Sequence, residues 1–410
     1  MRLDVDLHIH GKHSGGVSDR MEIPVLADEA RKKGLDVVGS GDILNPKWLS
    51  HVMDSVEGEG VYTREGTDFL LTTEVEDENR VHHLLVFPSA SAVKNAFEDF
   101  KKYSDDIRRE GRPRIRTGGE KIVELAKKHD ALVGPAHAFT PYTALYGNHD
   151  SLEECYGSWK DAIDFLELGL SADSSMAGRI SDHDDLVFLS NSDAHSPWPH
   201  RLGREFNRIQ VREKTFSGIR GAILNRNVEL NVGLDPREGK YHCTACNSCY
   251  QKYSLEQAER FDWRCKKCGG ALKKGVRDRV DQLADSSPEE RPEYLHLPPL
   301  ANIIMEVVGH SSPTTKTVQR IWDDFNENHG AEIDVLVEED VESLKETNHE
   351  VGAAIKKFRE GETVMIPGGG GEYGEMVIPG SREELERIRD RRSDEIDCVY
   401  RNDQETLENF

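Results

Sequence analysis

Asp4-Val5-Asp6-Leu7-His8-Ile9-His10 opens the chain with strict alternation of polar and apolar residues, the pattern of a half-buried strand. Alternate side chains share a face, so Asp6, His8 and His10 stand together while Val5, Leu7 and Ile9 turn to a core. One histidine on a strand is commonly a hydrogen-bonded bystander. Two histidines and an aspartate on one face raise the question of a metal, and the segments downstream answer it.

Short apolar runs alternate with amphipathic helices over the first 236 residues. Residues 21–33 have helical periodicity and stop at Gly34, a suitable C-cap. LDVVGSGD, DFLLTTEVE, VHHLLVFPS, ALVGPAHA, DFLELGLSAD and DLVFLSNSDAH read as strands, and residues 120–129 as a helix. This alternation argues for a mainly parallel α/β sheet or barrel. Chemistry in such folds gathers at the C-terminal ends of the strands.

The polar residues near those ends form a series: His8 and His10, Asp42, Glu74, His82 with His83, His137, then Asp193 and His195. Imidazole and carboxylate together suit Zn²⁺, Mn²⁺ or Fe²⁺, and a set this large can hold two or three ions. Ions about 3.5–4 Å apart clamp both the attacking and the leaving oxygen of a phosphoryl centre. The ordered set resembles the polymerase-and-histidinol-phosphatase (PHP) superfamily, whose opening H-x-H matches His8-Ile9-His10 and closing D-x-H matches Asp193-Ala194-His195.

That resemblance implies a PHP-type distorted (β/α)7 barrel and a multi-metal phosphoesterase. It implies that Glu74 bridges two metals, that His8, His10 and Asp193 complete one site, that His83 and His137 complete the second, and that Asp42 and His195 hold a third. His8, His10, Glu74 and Asp193 are the expected catalytic set. His83 is preferred over His82 because the family's ligand directly precedes the apolar run. Gly41-Asp42 stands where the superfamily commonly has Asp-His, and His13 is the nearest candidate for its further histidine. Asp6 is expected to orient a ligand imidazole through its other nitrogen.

The chain carries 76 acidic and 53 basic residues, a net charge of −23. High-salt adaptation produces such a halophilic composition, and taken alone it opposes polyanion binding. The distribution qualifies that: residues 240–280 hold ten Lys/Arg against four Asp/Glu, and residues 198–226 seven against two. No apolar run reaches about 18 residues, and no basic-then-apolar leader opens the chain. A cytoplasmic protein without a membrane partner is expected.

Five of the seven cysteines fall between Cys243 and Cys268. Cys246-x2-Cys249 and Cys265-x2-Cys268 have the spacing of a structural Zn²⁺ ribbon. Cys243 competes with Cys249 for the fourth position; Cys249 is preferred because it leaves two compact knuckles. Cys155 and Cys398 read as ordinary thiols. Lys266, Lys267, Lys273, Lys274, Arg277 and Arg279 would ride on the ribbon as phosphate contacts. Prolines 288, 292, 298 and 299 mark a linker to a mainly helical remainder. The expected domains are thus 1–236, 237–287 and 288–410. Gly368–Gly371 lacks the Lys-Ser/Thr of a phosphate loop and reads as a flexible turn.

Several stretches, among them GDILNPKWL, SNSDAHSPWPHRLGRE, WRCKKCGGALKKGVRDR and IPGGGGEYGEM, are similar to the endonuclease Q family of DNA repair enzymes. The resemblance runs end to end. It implies hydrolysis on the 5′ side of uracil, hypoxanthine, xanthine or an abasic site, with two or three divalent metals (Zn, Mn, Mg or Fe) and one structural zinc. Damaged DNA is the implied partner; replication or repair proteins are the protein partners such an enzyme would meet. A lesion in duplex DNA has to be extruded to be read, and Ser171, Asn191 and Ser192 are the candidates to line that pocket, with Trp198 or Trp48 to stack or wedge. The rival readings are a small-molecule phosphatase acting on a substrate such as histidinol phosphate, which leaves the ribbon unexplained, and a non-catalytic DNA-binding accessory protein, which leaves the ligand series unexplained.

Overall fold

The computed structural model describes residues 1–287 and 291–400; Pro288 of the expected linker lies outside them. Two compact units emerge. One comprises Met1–Leu170, Asp182–Leu234 and Glu290–Lys356, the other Ser171–Ser181, Asp235–Glu289 and Lys357–Phe410.

In the first unit, β1 (Arg2–Asp6) pairs in parallel with β2 (Val37–Gly39), and β2 with β3 (Thr67–Glu76). β4 (His82–Phe87) runs antiparallel to β3 and to β5 (Leu132–Pro135). The Asp164 amide donates to the Val133 carbonyl at 2.9 Å and brings in β6 (Phe165–Glu167), which is parallel to β7 (Val187–Leu189). The His10 amide closes the circle by donating to the Ala194 carbonyl at 2.9 Å. Seven strands therefore follow one another in chain order around a distorted barrel. The reversed β4 departs from a parallel barrel because only Asp77–Val81 joins it to β3. A parallel crossover needs a dozen or more residues. Outside the ring, β8 (Phe206–Gln210) and β9 (Val228–Gly233) extend the sheet antiparallel from β1.

The β1 ladder stops at Asp6, earlier than the sequence alternation suggests. His8 and His10 lie on an extension held by the bridge between Ile9 and Ala194. Leu3, Val5, Leu7, Val86, Phe165 and Leu189 are buried in one apolar cluster. A cavity at a buried phenylalanine such as Phe165 costs roughly 3–5 kcal/mol. The helix Ile23–Lys33 ends where expected, with Gly34 at φ 98°. Its last residue, Lys33, pairs with buried Glu332 at 2.6 Å, and the other Glu332 oxygen accepts from Trp322 Nε1 at 2.6 Å. That clip fastens the helical stretch 300–356 within its unit.

In the second unit, Ala245–Cys246 pairs with Leu272–Lys273, and Val364–Ile366 with Glu375–Val377. Cys398 is not an ordinary thiol: it forms a disulfide with Cys243. The glycine run is not a free turn either. The Gly368 amide donates to the Arg237 carbonyl (2.8 Å) and the Cys243 amide to the Gly368 carbonyl (2.9 Å). A Cβ on Gly368 would lie 2.6 Å from two backbone oxygens, so glycine there permits two chain segments to cross.

Candidate metal centre

Glu74, near the end of β3, is the middle of the site. Its carboxylate is fully buried. Oε1 lies 2.7 Å from His82 Nδ1 and 2.9 Å from His137 Nε2; Oε2 lies 3.3 Å from His10 Nε2 and 3.1 Å from Arg112 Nη1. Asp193 Oδ1 stands 3.1 Å from His10 Nε2 and 3.8 Å from His8 Nε2. Three groups of metal-binding geometry result: His8, His10 and Glu74; His10, Asp193 and His195; Glu74, His82 and His137.

The β-register decides between the adjacent histidines, and it overturns the expected choice. Glu76 pairs with His82 and Val75 with His83. Paired residues share a face, as do Glu74 and Glu76 two positions apart. His82 therefore meets Glu74, and His83 points to the opposite face. There its Nδ1 lies 3.1 Å from the Tyr156 hydroxyl.

Hydrogen bonds fix which imidazole nitrogen is presented. His8 Nδ1 donates to Glu167 (2.9 Å), and His10 Nδ1 to Asp42 (3.0 Å). Both Nε2 atoms are then lone-pair donors, buried and without a hydrogen-bond partner. His82 Nε2 donates to Glu76 (3.1 Å), so its Nδ1 lone pair faces the Glu74 carboxylate. Acceptor atoms packed this closely suit a cation between them. The field of the carboxylates points to a cation. Burial presses the His8 imidazole down, yet Glu167, with Asp193 and Glu74, holds it up at about 9, so without a metal the site draws a proton onto the nitrogen that an ion would displace. Burial also pushes Glu74 up, but His82, His10 and His137 hold it well below the usual carboxylate range. The residue set fits divalent metal ions.

Asp42 is not in any of these groups. One oxygen takes the His10 Nδ1 proton and the other accepts the Gly11 amide at 2.7 Å, so it positions His10. Asp6 does not orient an imidazole; its carboxylate accepts the Ser192 (3.1 Å) and Gly203 (3.0 Å) amides. The imidazole-orienting role falls to Glu167, which the sequence reading missed, although a glutamate at the end of the apolar run DFLE was a visible signal. Glu167 also accepts from the His137 amide and from Asn191 Nδ2, each at 2.7 Å. Arg112 was missed as well; it comes from a loop with no periodic pattern.

His137, Asp193 and Asp42 have left-handed backbones, with φ of 31°, 48° and 52°. Such strain clusters at functional sites because the surrounding structure sustains it. Gly169 permits the His137 conformation, since a Cβ there would sit 2.5 Å from His137 Cβ. The centre opens at Asp193, whose side chain is 29% exposed. A cleft of about 560 Å³ there is lined by Gly16, Val17, Ser18, Asp193, His195, Ser196, Arg201 and Arg204.

The residues expected to read a base fare less well. Asn191 is buried and its Oδ1 accepts the Leu7 amide at 2.9 Å; Ser192 is buried. Both brace the barrel. Ser171 belongs to the second unit. Trp48 is buried, with Nε1 donating to the Gly41 carbonyl at 2.6 Å, whereas Trp198 is 38% exposed. His13 joins none of the candidate groups among the described residues.

In the second unit, Cys246, Cys249, Cys265 and Cys268 converge. The Sγ atoms of Cys246 and Cys268 lie 3.5 Å apart, those of Cys249 and Cys265 3.6 Å. A Zn–S bond near 2.3 Å puts tetrahedral sulfurs about 3.8 Å apart, so the four fit one ion. Cys243 is committed to its disulfide. Among the basic residues, Lys266 and Lys267 are exposed, while Arg277 is bonded to Asp278 at 2.9 Å and to the Asp397 carbonyl at 2.9 Å.

No helix of the described residues is long and apolar enough to cross a membrane. Residues 299–362 match the MJ0043 C-terminal domain family. The uncharacterized protein MJ0043 of Methanocaldococcus jannaschii is 44% identical over 274 residues, covering 65% of this chain and 34% of that protein. The chain thus spans about a third of the length of that relative. The crystal structure of a lesion-specific endonuclease from Pyrococcus furiosus is 48% identical and superposes with a TM-score of 0.90, covering 95% of this chain and 99% of that one. An endonuclease Q bound to a 27-mer duplex with an abasic lesion at its active site is 49% identical, with a TM-score of 0.87 and coverage of 94% and 98%. On that similarity and coverage, the chain belongs to the endonuclease Q family.

Proposed function

We propose that this chain is a metal-dependent DNA repair endonuclease that cuts the phosphodiester on the 5′ side of a deaminated base or an abasic site. The observation that carries the reading is the Glu74 carboxylate, with His82 and His137 against one oxygen and His10 against the other. A bridging carboxylate of this kind suits a pair of ions. His8, His10, Glu74 and Asp193 would hold one ion, Glu74, His82 and His137 the second, and His195 stands beside Asp193 at the open edge. Such ions supply Lewis acidity to the scissile phosphate and a lowered pKa to an attacking water. The chain's own residues do the rest. Glu167 and Asp42 fix the presented imidazole nitrogens, Arg112 offsets the Glu74 charge, and Arg201 on the cleft offers charge to the strand. The four cysteines would hold a structural Zn²⁺, closed to substrate, with Lys266 and Lys267 presented for phosphate contact. A cytoplasmic location completes this reading.

The test is incubation of end-labelled oligonucleotides carrying uracil, hypoxanthine, xanthine or an abasic site with the enzyme and Mg²⁺, Mn²⁺ or Zn²⁺. Nicking confined to the 5′ side of the lesion is expected. Turnover of small phosphomonoesters alone, or cleavage of undamaged DNA at equal rate, overturns the proposal.

A further inference from the structure

On the opposite face of β3 and β4 from the Glu74 centre lies a second buried cluster: Asp77, His83 and Cys155. Asp77 and His83 side chains are fully buried and Cys155 is 7% exposed. His83 Nε2 and Asp77 Oδ2 face each other at 3.4 Å, yet neither has a hydrogen-bond partner. Asp77 Oδ1 is already spent on the Asn79 and Val81 amides, each at 2.8 Å.

Tautomer logic sharpens the point. The Tyr156 hydroxyl lies 3.1 Å from His83 Nδ1. When the hydroxyl oxygen accepts the Nδ1 proton, His83 Nε2 keeps a lone pair. That lone pair then faces a carboxylate in a dry interior, an arrangement that is repulsive unless a cation lies between. Zn–N and Zn–O bonds of about 2.0–2.2 Å place tetrahedral donors roughly 3.3–3.5 Å apart. The observed spacing of 3.4 Å is that of two ligands on one ion. A thiolate completing the set favours zinc over the hard cations.

We infer that Asp77, His83 and Cys155 bind a structural Zn²⁺ separate from both the Glu74 centre and the four-cysteine cluster. The ion would pin the short helix Leu152–Tyr156 to the turn after β3.

The experiment has two arms on the full chain, purified without chelator and supplied with Zn²⁺. Anomalous diffraction across the zinc edge is expected to place a scatterer between Asp77 Oδ2, His83 Nε2 and Cys155 Sγ. A bare contact or a water peak there overturns the inference. In the second arm, metal analysis of Cys155→Ala is expected to show one zinc equivalent fewer than the wild type, with the other metals and lesion nicking retained. Equal zinc content in the two proteins overturns it. The diffraction arm stands even where the variant fails to fold, because it uses the unaltered protein.

Discussion

His82 and His83 are neighbours in sequence that face opposite sides of one strand, and replacing each by Asn separates their roles. His82 Nδ1 lies 2.7 Å from Glu74 Oε1 and its other nitrogen 3.1 Å from Glu76. Loss of an outer partner of a metal ligand already costs roughly 10- to 100-fold in metal affinity or activity, and loss of a ligand itself costs at least as much. His82→Asn is therefore expected to lower single-turnover nicking of an abasic duplex by at least ~100-fold at fixed Mn²⁺. His83 contacts Tyr156 and Asp77 but not Glu74. Its loss leaves buried polar atoms unsatisfied, a cost of about 1–3 kcal/mol in stability. His83→Asn is expected to keep nicking within about threefold of wild type per folded molecule while lowering the thermal midpoint by several degrees. The assay is gel-resolved nicking normalised to folded fraction by circular dichroism. An inactive His83→Asn beside an active His82→Asn refutes the register argument.

Three further outcomes follow from the same geometry. Glu167→Gln replaces an all-acceptor carboxylate facing His8 Nδ1, the His137 amide and Asn191 Nδ2; a 10- to 100-fold rise in the Mn²⁺ needed for half-maximal nicking is expected, and an unchanged requirement counts against its orienting role. Arg112→Ala frees Glu74 from a partly exposed cation at 3.1 Å. With such a pair worth ~1 kcal/mol, metal titration should show roughly fivefold tighter binding. Burial holds Glu205 up at about 8 from the usual 4.5 despite Arg204 beside it. The native state then keeps a proton that the unfolded chain loses, so this contribution is full below pH 4.5 and is lost as pH rises through about 8. Melting curves at several pH values across that window should fall less steeply for Glu205→Gln than for the wild type.

The sequence made the barrel legible because hydrophobic periodicity and polar strand ends survive in one dimension. Residues with a short local signature, the H-x-H at His8 and His10 and the D-x-H at Asp193 and His195, came out together in space. The paired histidines did not, because a one-residue shift in register exchanges faces and only the pairing of Glu76 with His82 sets it. Glu167 and Arg112 reach the centre from distant segments, and no local pattern announces such a contact. Asp42 looked like a ligand by position, but both its oxygens are claimed by His10 and Gly11. The partnership of Cys243 with Cys398 spans 155 residues, a separation over which spacing carries no information. Asn191 illustrates the opposite error: a polar residue beside a ligand suggested base reading, whereas its amide is consumed in holding Leu7, Asn207 and Glu167.

The central claim is that ions gathered around Glu74 and Asp193 cut DNA at a lesion. Its most direct measurement is product mapping on a duplex with one abasic site, using the Mn²⁺-loaded wild type and Asp193→Ala side by side. Asp193 is partly exposed at the cleft, so the substitution should leave the fold intact, with a small fall in melting because alanine suits a φ of 48° less well than aspartate. The account predicts a single cut 5′ of the lesion by the wild type and none by the variant. Equal cutting by a folded Asp193→Ala protein contradicts it.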